Sequence, residues 1–97
     1  MFMERDHSEQ LTHLRRLAGE LSRRRFASRL DNAAGEPSLK IANPDSPELT
    51  ERVLCRPAED GSWCFWWSWQ QPIGSADDLA VVASKIMTVL RSVEGTS

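Results

Sequence analysis

The chain reads as a two-layer α+β domain, α-β-β-β-β-α, with a four-stranded antiparallel meander and both terminal helices on one face of it. Three observations predict this. Amphipathic stretches of helical period stand near both ends. Short alternating segments joined by turn-length connections lie between them. All four tryptophans fall within Gly61–Gln70, where their density suits a pleated strand better than a helix.

Residues 1–7 read as a loose, charged lead. Ser8 is an N-cap candidate with Glu9 in the first turn. Leu11, Leu14, Leu17, Ala18 and Leu21 then follow helical spacing, opposite Arg15, Arg16, Glu20 and Arg23, so a first helix is expected over 8–24. Arg23, Arg24 and Arg25 fall in its last turn, where positive charge complements the helix dipole. They also form a secondary basic patch for a phosphate or acidic group. Alternation predicts strands at 25–31 and 38–42, separated by the turn-like Asn32–Pro37. Asn43-Pro44-Asp45-Ser46-Pro47 reads as a rigid loop, because each proline restricts itself and the residue before it.

A third strand is expected from Leu49 or Thr50 to Arg56, leading through Ala58–Ser62 into the tryptophan strand. In that strand Trp63, Phe65, Trp67 and Trp69 share one face, and Cys64, Trp66 and Ser68 the other. A two-residue Asp60-Gly61 turn would pair Leu54 with Trp67. A three-residue loop with Gly61 left-handed would pair Val53 with Trp67 and Cys55 with Phe65. The second register buries Val53 and Cys55 instead of Arg52 and Arg56, and is favoured for that reason. After Pro72-Ile73-Gly74, Ser75 opens a capping box with Asp78. A second helix is expected over 76–93, burying Leu79, Val82, Ala83, Ile86, Val89, Leu90 and Val93, with Gly95 ending it and 94–97 frayed.

Two helices cover one face of such a sheet, which leaves an aromatic face without a cover. The expected function is therefore a small non-enzymatic protein-interaction module, a homodimer or a binder of another protein, in a regulatory or accessory role. Its interface candidates are Trp63, Phe65, Trp66, Trp67 and Trp69, with Arg52 and Arg56 on the neighbouring strand. Single-stranded nucleic acid or a small ligand on the same aromatic and arginine surface is the alternative.

Composition narrows the classes further. Ninety-seven residues, 40% hydrophobic and 27% charged, make one ordinary globular domain. The net charge of −2 gives no global pull toward nucleic acid or anionic membrane. No apolar run approaches the roughly 20 residues that span a bilayer, and Glu4-Arg5-Asp6 follow the start too soon for a signal peptide, so a cytoplasmic location is expected. Cys55 and Cys64 read as reduced packing residues or, in one register, a redox pair. His7 and His13 lie too far apart in helical phase to share a metal. No phosphate loop or hydrolase motif is present, so neither enzyme activity, metal nor cofactor is expected.

Pro-Ser-Leu-Lys-Ile-Ala-Asn-Pro (37–44), Cys-Arg-Pro (55–57), Phe-Trp-Trp-Ser-Trp (65–69), Ile-Gly (73–74) and Asp-Asp (77–78) together resemble a group of small actinobacterial proteins. The resemblance spans most of residues 10–93. It implies a compact cytosolic domain encoded beside regulatory genes, and it carries over no activity and no site.

Overall fold

The computed structural model describes residues 8–32 and 35–95, with side chains except at 46–47 and 91–95. The expectations for residues 1–7 and 96–97, including His7, and for the side chain of Val93 lie outside what is described. The elements are α1 (Ser8–Arg23), β1 (Ala27–Asp31), β2 (Ser38–Asn43), β3 (Ser46–Pro57), β4 (Trp63–Trp67), β5 (Pro72–Ser75) and α2 (Leu79–Gly95). The strands form one antiparallel sheet in chain order. The α+β meander between terminal helices is as expected, with five strands in place of four.

One cluster of buried side chains makes the core. Leu14, Leu17 and Leu21 of α1 and Val82, Ala83, Ile86 and Leu90 of α2 meet Leu39, Ile41, Val53, Cys55, Phe65, Trp67 and Ile73 of the sheet. These strand residues share the inner face, because Leu39 pairs with Val53, Val53 with Trp67, and Cys55 with Phe65. Gln10 adds a polar stitch, its Nε2 donating to the Cys55 carbonyl at 2.8 Å. Asn43, also buried, donates from Nδ2 to the Leu90 carbonyl at 3.5 Å.

The β3–β4 hairpin has the favoured register. Gly61 N–H donates to the Ala58 carbonyl at 2.9 Å, and Gly61 has φ +89°. A left-handed residue at that position closes a three-residue loop and seats Val53 and Cys55 on the core side. The Ser62 hydroxyl and amide both donate to Asp60 Oδ1, which holds that exposed carboxyl below its usual range.

Four differences from the sequence expectation each have a local reason. First, α1 stops at Arg23, and Arg25 lies beyond it at φ +68°. Phe26 N–H donates to the Leu21 carbonyl and Arg25 N–H to the Ser22 carbonyl, the paired bonds of a Schellman closure, with Phe26 buried beside Leu21. Arg25 thus stands where glycine is usual, not in a last helical turn or a strand. Second, the 43–47 segment is a tight hairpin: Asn43 pairs with Ser46, and Asn43 Oδ1 accepts from the Asp45 amide at 2.9 Å. That side-chain cap closes the turn in two residues, so β3 begins earlier than Leu49.

Third, Pro72–Ser75 is a strand and not a connector. Gly74 pairs with Phe65 and Ser75 with Cys64 along the free edge of β4. Four residues with a proline and a glycine show no period in sequence; pairing alone recruits them. A Cβ on Gly74 would lie 3.1 Å from Val82 Cγ2, so the glycine lets α2 pack close. Fourth, Ser75 does not cap α2. Its carbonyl accepts from Asp78 N–H, whereas the Asp78 carbonyl accepts from Val82 N–H at 3.0 Å. Asp78 is the N-cap, and α2 starts at Leu79.

Candidate functional site

With both helices on the inner face, the outer face of the sheet has no cover within the described chain. Strand alternation and register place its side chains in rows. Arg29, Lys40 and Arg52 lie directly opposite one another across β1, β2 and β3. The next row is Asp31, Ser38, Leu54, Trp66 and Pro72. Arg56, Cys64 and Ser75 follow. The centre of this face is thus Leu54 and Trp66, both half-buried, with arginines on either side.

The two central arginines carry their own counter-charges. Arg52 Nη1 lies 2.7 Å from Asp31 Oδ2 and 3.2 Å from Ser38 Oγ. Arg56 forks onto Glu36, with Nε and Nη2 at 2.8 and 2.7 Å from its two carboxylate oxygens. That bidentate hydrogen bonding raises the already high pKa of Arg56. The Trp66 indole N–H donates to the Arg56 carbonyl at 3.4 Å, so the ring leans back along β3 and does not stand off the sheet.

The other aromatic candidates go elsewhere. Phe65 and Trp67 are core residues, at 0% and 5% exposure. Trp63 is half-buried at the sheet's end; its indole N–H donates to Glu9 Oε1 at 3.0 Å and its ring meets His13 at 5.7 Å. Trp69 lies past the end of β4 and is 49% exposed. The expected aromatic stripe is therefore mostly packing, and Trp66 alone of the strand's aromatics faces outward. The basic patch is also divided: Arg23 and Arg24 both turn to Glu20, while Arg25 is held by the closure of α1.

Recesses on the described surface lie near these residues. A groove of about 430 Å³ runs between β5 and α2, lined by Trp67, Ile73, Lys85 and Val89 among others. A smaller recess of about 300 Å³ lies on the outer face over Ala27, Arg29, Lys40, Ala42 and Thr50. Arg29 and Lys40 were not singled out by sequence reasoning. Each is an ordinary surface cation in sequence, and only the pairing of β1 with β2 sets them side by side.

The chain matches no known protein family, no curated protein and no solved structure. The chemistry must therefore be read from the residues. Among the described residues, no three His, Cys, Asp or Glu side chains converge as a metal site. Cys55 faces the core and Cys64 the outer side of adjacent strands, so no disulfide joins them in this fold. Burial raises both thiol pKa values, Cys55 to about 12, with Cys64 and Glu9 adding to the effect at Cys55. Neither is a ready nucleophile. Among the described residues, no helix is long and apolar enough to cross a membrane.

Proposed function

We propose that the chain is a small, non-enzymatic protein-interaction module that associates with a second copy of itself through the outer face of its sheet, in a regulatory or accessory role in the cytoplasm. The observation that carries this reading is the uncovered face itself, with Leu54 and Trp66 at its centre. Arg52–Asp31 and Arg56–Glu36 frame that centre with matched charges. A two-fold copy presents the same pattern reversed, so each arginine has a carboxylate to meet across the axis. Trp66 is tethered through its indole N–H, which lowers the entropy lost when it is buried. The apolar centre is small, so the dimer is expected to be weak.

Single-stranded nucleic acid on this face is the weaker reading. Among the described residues only Trp66 offers a ring there, and Asp31 and Glu36 would repel a phosphodiester chain passing it.

The test is solution mass by light scattering from micromolar to near-millimolar protein, with Leu54→Glu and Trp66→Ala as partners to the parent. The parent should rise from 11.0 kDa toward twice that mass. Both variants should stay monomeric with unchanged circular dichroism, since neither side chain is in the inner core. A parent that is monomeric throughout would remove self-association.

A further inference from the structure

The row Arg29–Lys40–Arg52 is an anomaly of local design. Like charges directly opposite in an antiparallel pair destabilise a sheet. Here Arg29 opposes Lys40, and Lys40 opposes Arg52. Asp31 pairs with Arg52. Arg29 and Lys40 are both exposed and, among the described residues, form no ion pair with any carboxylate. Glu48, two residues beyond Thr50 on β3, makes none with them either. Every other arginine on this face is neutralised, so the two unpaired cations stand out.

They also border a recess. Ala27 and Ala42 lie opposite each other in the next row, and Thr50 lies opposite Ala42. Two methyl groups and one hydroxyl leave the floor low beside the two long cations, and the recess holds about 300 Å³. That is the lower end of the range for small-molecule sites. The floor is small side chains, so it offers a large ring little to pack against, and the two cations are its distinctive feature. A compact dianion satisfies what is present: two cations from adjacent strands, with the Arg29 fork for paired oxygens.

We propose that the Arg29–Lys40 recess binds the phosphate monoester group of a small molecule. A monoester carries about −1.5 to −2 charge near neutral pH, against −1 for a carboxylate, and two unpaired cations favour the greater charge. A phosphodiester strand carries one charge per phosphate and would have to continue past Asp31, which faces the same side two residues from Arg29. The site lies on the β1–β2 side of the same outer face, in the row next to Leu54 and Trp66, and does not need self-association to form.

The test is an amide-resolved NMR titration of the full chain at low ionic strength, with phenyl phosphate, inorganic phosphate, benzoate and an oligothymidylate as probes. Phenyl phosphate and inorganic phosphate should shift the amides of Ala27, Arg29, Lys40, Ala42 and Thr50 saturably, with benzoate at least tenfold weaker. Arg29→Ala/Lys40→Ala should lose at least tenfold in affinity yet melt no lower than the parent, because it relieves like-charge repulsion. Lys40→Arg should retain binding. No saturable shift at this corner, or unchanged affinity in the double alanine variant, would overturn the proposal. Benzoate binding as well as phenyl phosphate would overturn the assignment to phosphate. Tighter oligothymidylate binding with shifts spreading to Trp66 would replace it with a nucleic-acid surface.

Discussion

Trp69 stacks on Trp67 with ring centroids 4.8 Å apart and planes within 5° of parallel. One ring is buried in the core and the other is half exposed. Trp69 Nε1 donates to Gln71 Oε1 at 3.0 Å, and Trp67 N–H donates to the Gln71 carbonyl at 2.8 Å. The β4–β5 turn is thus pinned to the core through a pair of rings and one glutamine. Trp69→Ala should lower stability by about 0.5–1.5 kcal/mol, the scale of a stacked pair. Trp67→Ala should cost about 3–5 kcal/mol, because it empties a core position. Urea unfolding of both variants measures the contrast; equal losses would mean Trp69 packs far more deeply than the stack implies.

Backbone strain gives a pair of opposite predictions. Gln70 has φ +69° and Gly61 φ +89°. A side chain in that region costs about 1–2 kcal/mol. Gln70→Gly should therefore stabilise by about 0.5–1 kcal/mol after the added chain entropy of glycine is offset. Gly61→Ala should destabilise by about 1–2 kcal/mol. A Cβ at Gly61 meets nothing within 4 Å, so its cost is conformational alone. Melting curves of the two variants should move in opposite directions.

The cysteines set an alkaline limit. Burial, chiefly, raises the Cys55 pKa from 9.0 to about 12. A raised folded-state value contributes stability in full below 9.0 and loses it as pH rises toward about 12. The unfolded thiol ionises in that window while the folded one does not. Stability measured between pH 8 and 11 should therefore fall more steeply for the parent than for Cys55→Val. At neutral pH both thiols should resist alkylation until the chain unfolds, and mild oxidation should yield no intramolecular disulfide.

The ion pairs on the outer face should matter little to folding. Arg56 and Glu36 keep 42% and 28% of their side-chain surface exposed. Arg56→Met should change monomer stability by no more than about 1 kcal/mol despite the bidentate geometry. Its effect on self-association should be larger, since the proposed two-fold interface sets that arginine against a second carboxylate. Comparing denaturant midpoints with dimer dissociation constants separates the two.

Much of the architecture is legible in residue order. Helical spacing from Leu14 to Leu21 and from Val82 to Leu90 marks both helices, because a 3.6-residue period needs no partner to be seen. The Gly61 turn is legible for a similar reason: a glycine beside aspartate satisfies a left-handed position, and burying Arg52 and Arg56 would be costly. Pro72–Ser75 is not, since a short edge strand exists through the hydrogen bonds of its neighbour. Nor is the end of α1, where the Leu21 and Ser22 carbonyls hold Arg25 in a conformation its side chain disfavours.

Residue order alone sets the α+β class, the two amphipathic helices and the β3–β4 register, because these follow from local period, turn chemistry and the cost of burying charge. Tertiary structure decided which aromatics serve the core and which meet solvent. Phe65 and Trp67 go inside because the helices have one apolar stripe each and both lie on that face. Trp66, one residue from each of them, is left outside. The sheet also decided that Arg29, Lys40 and Arg52 stand in one row, since residues 11 and 12 positions apart become neighbours only when the strands between them pair.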